Sequence, residues 1–574
     1  MPKKIIQLIL LLISCILLVG CSSSKINNPK DGFQFSLLSD GTYELISIQN
    51  KDATHLIIPD KYQNKLVTKI GPSVFEKCTK LEKLIMPKTI VSIGEKAFYN
   101  CSYLEELRIP ENVTYIGKEA FRGCKLPKEL ILPNNLSFIG EGAFSNSSSV
   151  ENIIIPNGVT CIEKETFYSC DQLKNVTLSE GLEIISDLAF AQCYQLKSIN
   201  IPSTVNYIGE KVFMECKSLE RIIIPEGVKT LRYSTFARCS NLREIALPES
   251  LENIEDSVFE YTNLGYIDIP KNVKRIGEKA FYKCHNLEEI KIPEGVITIE
   301  TSTFENCESL RQVILPDSLN YINEKAFLNC VSLTSIIIPD NVTIIRDETF
   351  KNCKKLSQVM FPEKLYHIGK MAFQDCVSLL NVVFSENLFS IDEQAFFNCE
   401  KLTTVVFPES LIEIKNGAFK NCVSLANIDL PSNLYLLEHS AFSGCESIVK
   451  VTIPKDIIEI SDELFFGCIN LVEVEMHDNI IVIGARAFSK CEKLNSIKLS
   501  KKLNTIGNEA FYECTSLEKL FIPISVIKIG KDVFPKSSIV TIYCEAEEKP
   551  QGWDREWKYG GIKTHWNSTE EDMK

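Results

Sequence analysis

Cysteine has the most chemistry to offer in this chain: there are 22 in 574 residues, each a potential nucleophile, metal ligand or disulfide partner. Their spacing points elsewhere. Eighteen lie three residues after a phenylalanine, from Cys78 and Cys101 to Cys491 and Cys514, and that phenylalanine returns every 23 residues. In an exported chain so many thiols would ordinarily suggest disulfides. Yet three copies carry Ser147, Thr262 and Ser537 at the same place, and a paired cysteine lost singly would strand its partner. A small buried side chain with a weak donor tolerates both hydroxyl replacements, so a ladder of free, buried thiols is expected. Ligands in single file cannot surround an ion tetrahedrally, so neither a metal nor any other cofactor is expected. Six histidines (His55, His285, His367, His439, His477 and His565) are scattered, without an HExxH spacing. Nucleophile-elbow, phosphate-loop and EF-hand patterns are absent as well. The acidic residues fill variable positions, where a solvated charged face explains them. The chain is therefore read as a non-enzyme with no catalytic residue; the competing possibility is a site assembled from separate coils.

What positions the thiols is the phenylalanine repeat. It runs from Phe75 to Phe534 in 21 copies, with a single 22-residue step between Phe259 and Phe281. A fixed period of 20 to 50 residues marks a solenoid, which offers a long surface more readily than a catalytic pocket. One unit runs Leu104-Glu-Glu-Leu107-Arg-Ile109-Pro110, then Val113, Ile116-Gly117, Ala120-Phe121 and Cys124. The first apolar alternation is that of a half-buried strand, and proline, lacking an N–H, ends it. The glycine reads as a bend leading into a short helical turn that packs Ala-Phe-x-x-Cys inward. Stacked coils then give an α/β solenoid of about 21 coils, with one parallel β-sheet, short helical turns opposite it, and capped ends. The short step predicts a local irregularity near Tyr261-Thr262-Asn263 and no break in the array.

The unit resembles the BspA-type leucine-rich repeat of bacterial cell-surface proteins over residues 54–544, and the resemblance implies adhesion to host proteins or to other cells. Asp40-Gly41-Thr42-Tyr43-Glu44 before the repeats and Ile542-Tyr543-Cys544-Glu545-Ala546 after them are similar to the ends of such proteins. Residues 33–53 read as an N-terminal cap, a hairpin around Ser39-Asp40-Gly41. Residues 545–574 read as a C-terminal cap and tail holding all three tryptophans, Trp553, Trp557 and Trp566. An aromatic sugar-binding site is the alternative reading of those tryptophans.

At the other terminus, Lys3-Lys4, an apolar stretch from Ile5 to Val19, and Leu18-Val19-Gly20-Cys21 form a signal-peptide pattern over residues 1–20. The last four residues resemble the lipobox of bacterial lipoproteins, in which the cysteine thiol is diacylated and the preceding peptide removed. Cys21 is thus the expected lipidation site, with residues 21–32 as a polar tether; an ordinary secretory signal is the alternative. Two acyl chains suffice for stable attachment. Losing Lys3 and Lys4 takes the formal charge from −13 to −15. Such a surface repels phosphate backbones, so no nucleic acid partner is expected, and without a covalent link anionic lipid would be disfavoured too.

In each strand the third and fifth residues face away from the core. The fifth position carries an unbroken apolar run, Ile314, Ile337, Met360, Val383 and Val406, between Lys291 and Asp429. The third position over the same coils is polar and uncharged: Gln312, Ser335, Gln358, Asn381 and Thr404. Five rungs make a stripe about 20 Å long, suited to a protein partner or to self-association. Valine and isoleucine also favour strands for their own sake, which is the competing explanation. The sequence reading is therefore a lipid-anchored, surface-displayed binder of protein ligands. Its alternatives are a glycan-binding module, against which the isolation of Tyr266 and Phe521 on this face counts, and a self-associating envelope protein.

Overall fold

In the computed structural model, which describes residues 26–27, 32–534 and 538–573, the coils lie against one another along three separate ladders. The chain divides into two compact units, the first ending at Val228 and the second beginning at Lys229.

In the first unit, Glu129–Leu130, Asn152–Ile154 and Asn175–Thr177 pair in parallel at a register of one coil. The second apolar pair of the repeat forms strands as well: Lys65–Ile70, Ser92–Ile93, Tyr115–Ile116 and Phe138–Ile139 make a parallel ladder of their own. In the second unit Gln312–Ile314 pairs with Glu289–Lys291, and Tyr321–Ile322 with Thr298–Ile299. The solenoid class holds, but the single parallel sheet expected from the pattern is two ladders on different sides of the coil.

The segment expected to be a short helical turn is a third ladder. The amides of Ser302, Phe304 and Asn306 donate to the carbonyls of Glu324, Ala326 and Leu328 in the next coil, at 3.1, 2.9 and 2.8 Å. Between them, the amides of Thr303, Glu305 and Cys307 donate three residues back within their own coil. Ser302 and Asn306 are left-handed, with φ of 56° and 62°, and the same two places are left-handed in nearly every coil. The chain therefore turns through successive β-turns whose amides point alternately to the next coil and to the same one, which pairs the donors of Ser302 to Cys307 without a helix. The only helix among the described residues is a 3-10 turn at Glu570–Met573.

The glycine ahead of this segment has a different cause from the one its spacing suggests. A Cβ on Gly117 would lie 2.7 Å from the Glu95 nitrogen and from the Gly94 carbonyl carbon. Close approach of the preceding coil's backbone, and no left-handed conformation, is what requires glycine there.

Inside the turns the phenylalanines stack. Phe75 and Phe98 are 4.9 Å apart and 3° from parallel in the first unit, and Phe327 and Phe350 are 5.3 Å apart and 1° from parallel in the second. Every cysteine among the described residues is a free thiol. The repeat thiols hold one coil to the next: Cys101 Sγ donates to the Phe75 carbonyl at 3.1 Å and Cys330 Sγ to that of Phe304 at 3.2 Å. Ser147 Oγ makes the same bond to Phe121, at 3.1 Å. Burial pushes the thiols of Cys170, Cys216 and Cys284 up to about 12.

At the short step the rings of Phe259 and Phe281 tilt to 24°, and Thr262 Oγ1 turns back to the carbonyl of its own Phe259. Asn253–Ile254 still pairs with Arg275–Ile276 across the step. The expected irregularity is there and the array continues.

In the first unit a hairpin of Phe33–Leu37 and Tyr43–Ile48 turns at Gly41, φ 83°, and its second strand adds in parallel to Lys65–Ile70. In the second unit Trp557 stands edge-on against Phe534 at 6.1 Å, and Trp553 Nε1 donates to the Val526 carbonyl at 2.9 Å. Both rings are buried and offer no open platform to a sugar, and Trp557 continues the phenylalanine column; Trp566, 5.8 Å from Trp553, is half-buried.

Candidate binding face

The ten residues singled out by spacing all lie on one sheet face of the second unit. In Gln312–Ile314, Ser335–Ile337, Asn381–Val383 and Thr404–Val406 the middle residue is buried while its neighbours are exposed, the alternation a strand imposes. Gln358–Met360 differs only in a half-buried Val359. Ser335 is paired with Gln358 and Ile337 with Met360, while Asn381 is paired with Thr404 and Val383 with Val406. Amides just ahead of these strands link all five coils: Thr334 donates to Arg311, Ser357 to Thr334, Leu380 to Ser357 and Thr403 to Leu380, at 2.9 to 3.3 Å.

The apolar column is open to solvent, with Ile314 48%, Ile337 65%, Met360 62%, Val383 64% and Val406 48% exposed. No ionisable side chain lies among the ten; Lys291 and Asp429, both exposed, bound the run. Such a surface can exclude water from an apolar ridge while amides and hydroxyls alongside supply directional hydrogen bonds.

Spacing missed a second, partly exposed column, on the other ladder, in which Phe389 and Ile412 are half-buried. Tyr366, Phe389, Ile412, Tyr435, Ile458 and Ile481 occupy one place in six consecutive coils, and Tyr435 is 71% exposed. Tyr366 and Phe389 stack at 5.1 Å, so each ring covers a face of the other. The signal was present in the sequence as an apolar second residue of each Val-x-x-Ile segment.

Beside that column the register brings a serine, a histidine and an aspartate together. His367 Nδ1 lies 2.7 Å from Ser390 Oγ, His367 Nε2 lies 3.3 Å from Asp392 Oδ2, and Lys415 Nζ pairs with Asp392 at 2.5 Å. His367 and Ser390 are register partners in adjacent coils, which accounts for the contact. Ser390 is buried, so a carbonyl has no approach to its hydroxyl, and the cluster is a stack of neighbours without the access that acyl transfer needs. Among the described residues no three His, Cys, Asp or Glu side chains group to hold a metal ion, and no helix is long and apolar enough to cross a membrane. Cys21, with most of the 1–32 segment read as signal and tether, lies outside the described residues.

The model of the BspA type Leucine rich repeat region matches residues 49–173, 160–288, 274–403, 367–465 and 436–549. Among solved structures the chain is similar to a leucine-rich repeat protein from Bacteroides ovatus, at 26% identity over 77% of this chain and 95% of that one, with a TM-score of 0.46. It is similar to a leucine rich cell surface protein from Faecalibacterium prausnitzii at 24% identity, covering 67% and 95% of the two chains, with a TM-score of 0.35. The pneumococcal vaccine antigen PcpA is similar at 20% identity over 72% and 93%, with a TM-score of 0.33. No curated protein matches the chain.

Proposed function

We propose that this chain, which belongs to the BspA-type leucine rich repeat family, is a lipid-anchored protein of the bacterial surface that binds protein partners, and so adheres to host or neighbouring cells. The observation that carries this is the open column Ile314, Ile337, Met360, Val383 and Val406, five apolar side chains in register between uncharged polar ones. A column of this kind on a rigid sheet costs little conformational entropy on binding, because strand packing already fixes the backbone. With no charge among the ten residues, association through this face should survive about 0.5 M salt, where screening acts over a few ångströms.

The test is to immobilise the chain from Ser22 and ask which host and bacterial surface proteins it retains in high salt. Retention of a protein ligand, lost in an Ile337→Asp, Val383→Asp double variant, supports the proposal. Retention of glycans alone would overturn it. Self-association is the second reading, favoured by the partly exposed column with Tyr366, Tyr435, Ile458 and Ile481 open to solvent; capture of the chain's own copies alone would put it in first place.

A further inference from the structure

Further along this sheet the chain covers itself. After Thr564–His565 joins the last ladder, the amides of Asn567 and Ser568 donate to the Ala546 and Cys544 carbonyls, both at 2.9 Å, and Ser568 is buried. There the anchoring stops. Glu570–Met573 folds back as a 3-10 turn against Lys519–Ile522 with none of its residues buried. The turn is formed by the segment itself, since the Asp572 carboxylate accepts from the Thr569 amide at 2.7 Å and from its hydroxyl at 2.9 Å.

Two polar contacts hold the segment to the sheet: Lys519 Nζ donates to the Met573 carbonyl at 2.6 Å, and Lys498 Nζ stands 3.6 Å from Glu570. Exposed contacts of this kind are weak and are screened by salt. Beneath the segment lies a cleft of about 880 Å³ lined by Lys498, Lys519, Phe521, Glu571 and Met573 among others. Phe521 and Met573 are both half-buried there, which puts an apolar seat next to two cations. Of the sheet's acids that also line the cleft, Glu473 and Glu475 are turned to Lys450, at 3.3 and 2.6 Å, and Glu518 is exposed.

We propose that Thr569–Met573 is a displaceable occupant of a peptide-binding cleft, and that the ligand replacing it is an acidic peptide with an apolar residue, seated on Lys498, Lys519 and Phe521. This does not depend on the column from Ile314 to Val406. The seated segment shows the chemistry the cleft accepts: the Glu570 carboxylate stands toward Lys498, and Met573 lines the same cleft as Phe521. A tethered segment competes at an effective concentration in the millimolar range, so an outside peptide binds in earnest only when the tether loosens.

The probe is a fluorescent peptide with the sequence of residues 568–573, Ser-Thr-Glu-Glu-Asp-Met, titrated by anisotropy against the full chain. Glu570→Ala frees Lys498 and should tighten binding about two- to fivefold over wild type by weakening the tethered competitor. Lys498→Ala, Lys519→Ala in the same background should abolish it, with the thermal melt unchanged. Equal affinity in wild type and Glu570→Ala, no binding to either, or binding that persists without the two lysines would overturn the proposal. Displacement of the peptide by polyphosphate as readily as by unlabelled peptide would overturn its peptide specificity and leave a simple anion site.

Discussion

In eighteen coils a thiol stands three residues after the phenylalanine; it fills a small internal space and, as at Cys101 and Cys330, donates to a phenylalanine carbonyl of the preceding coil. Its replacement by Ser147 keeps both roles, which is why the substitution was readable as a sign of free thiols. The acceptor was not readable, because a bond between residues 26 apart leaves no local trace. Buried thiols make stability pH-dependent with a definite sign. Cys170, Cys216 and Cys284 titrate at about 12 in the fold against 9.0 when free. The folded chain keeps protons that the unfolded chain releases over this range, so stability is full below pH 9 and falls as pH rises toward 12. Each such thiol contributes a slope of at most about 1.4 kcal/mol per pH unit, and the contributions accumulate along the ladder. Guanidinium unfolding should have a flat midpoint up to about pH 9 and a steep decline above it. A Cys170→Ala, Cys216→Ala variant should start less stable and decline more gently; an equal slope would contradict the linkage.

At the scale of the element, the 23-residue beat made the coil, its strands and its buried anchor legible, because core positions must recur wherever coils stack. The turn was misread for a physical reason. Ala-Phe-x-x-Cys has the spacing of one helical face, and the left-handed residues that forbid a helix include lysine, glutamate and serine, as at Lys96, Glu119 and Ser302. The glycine was misread because its constraint is contact with another coil, which spacing within one coil cannot register. Two glycines separate these causes. Gly117→Ala drives a Cβ into preceding-coil backbone at 2.7 Å, whereas a Cβ on Gly181 meets only the Asn157 carbonyl oxygen at 3.6 Å. Gly117→Ala should destabilise by about 1–3 kcal/mol, as overpacking does. Gly181→Ala should be neutral or stabilising by up to about 1 kcal/mol, through the unfolded chain. Urea midpoints of the two variants measure the difference, and similar shifts would count against close approach as the cause.

For the whole molecule, the fold leaves function to residues that no coil needs for its core. The Ile314–Val406 column could be read from the sequence because display positions alternate strictly with core ones. The tail over Phe521 could not, since Glu570 lies outside the repeats and its spacing says nothing of its meeting Lys498, a fifth-position residue far earlier in the chain. The lipid anchor proposed at Cys21 has its own test: Cys21→Ala should leave the precursor unprocessed and shift the protein out of the membrane fraction, and unchanged fractionation would rule out the anchor. The most direct test of the account is the affinity of a captured protein partner for wild type and for the Ile337→Asp, Val383→Asp variant. Two carboxylates buried in an apolar contact should weaken binding at least a hundredfold, a loss of roughly 3 kcal/mol or more, with the fold intact by circular dichroism. An unchanged affinity would show that the partner binds elsewhere and would contradict the assignment of this face.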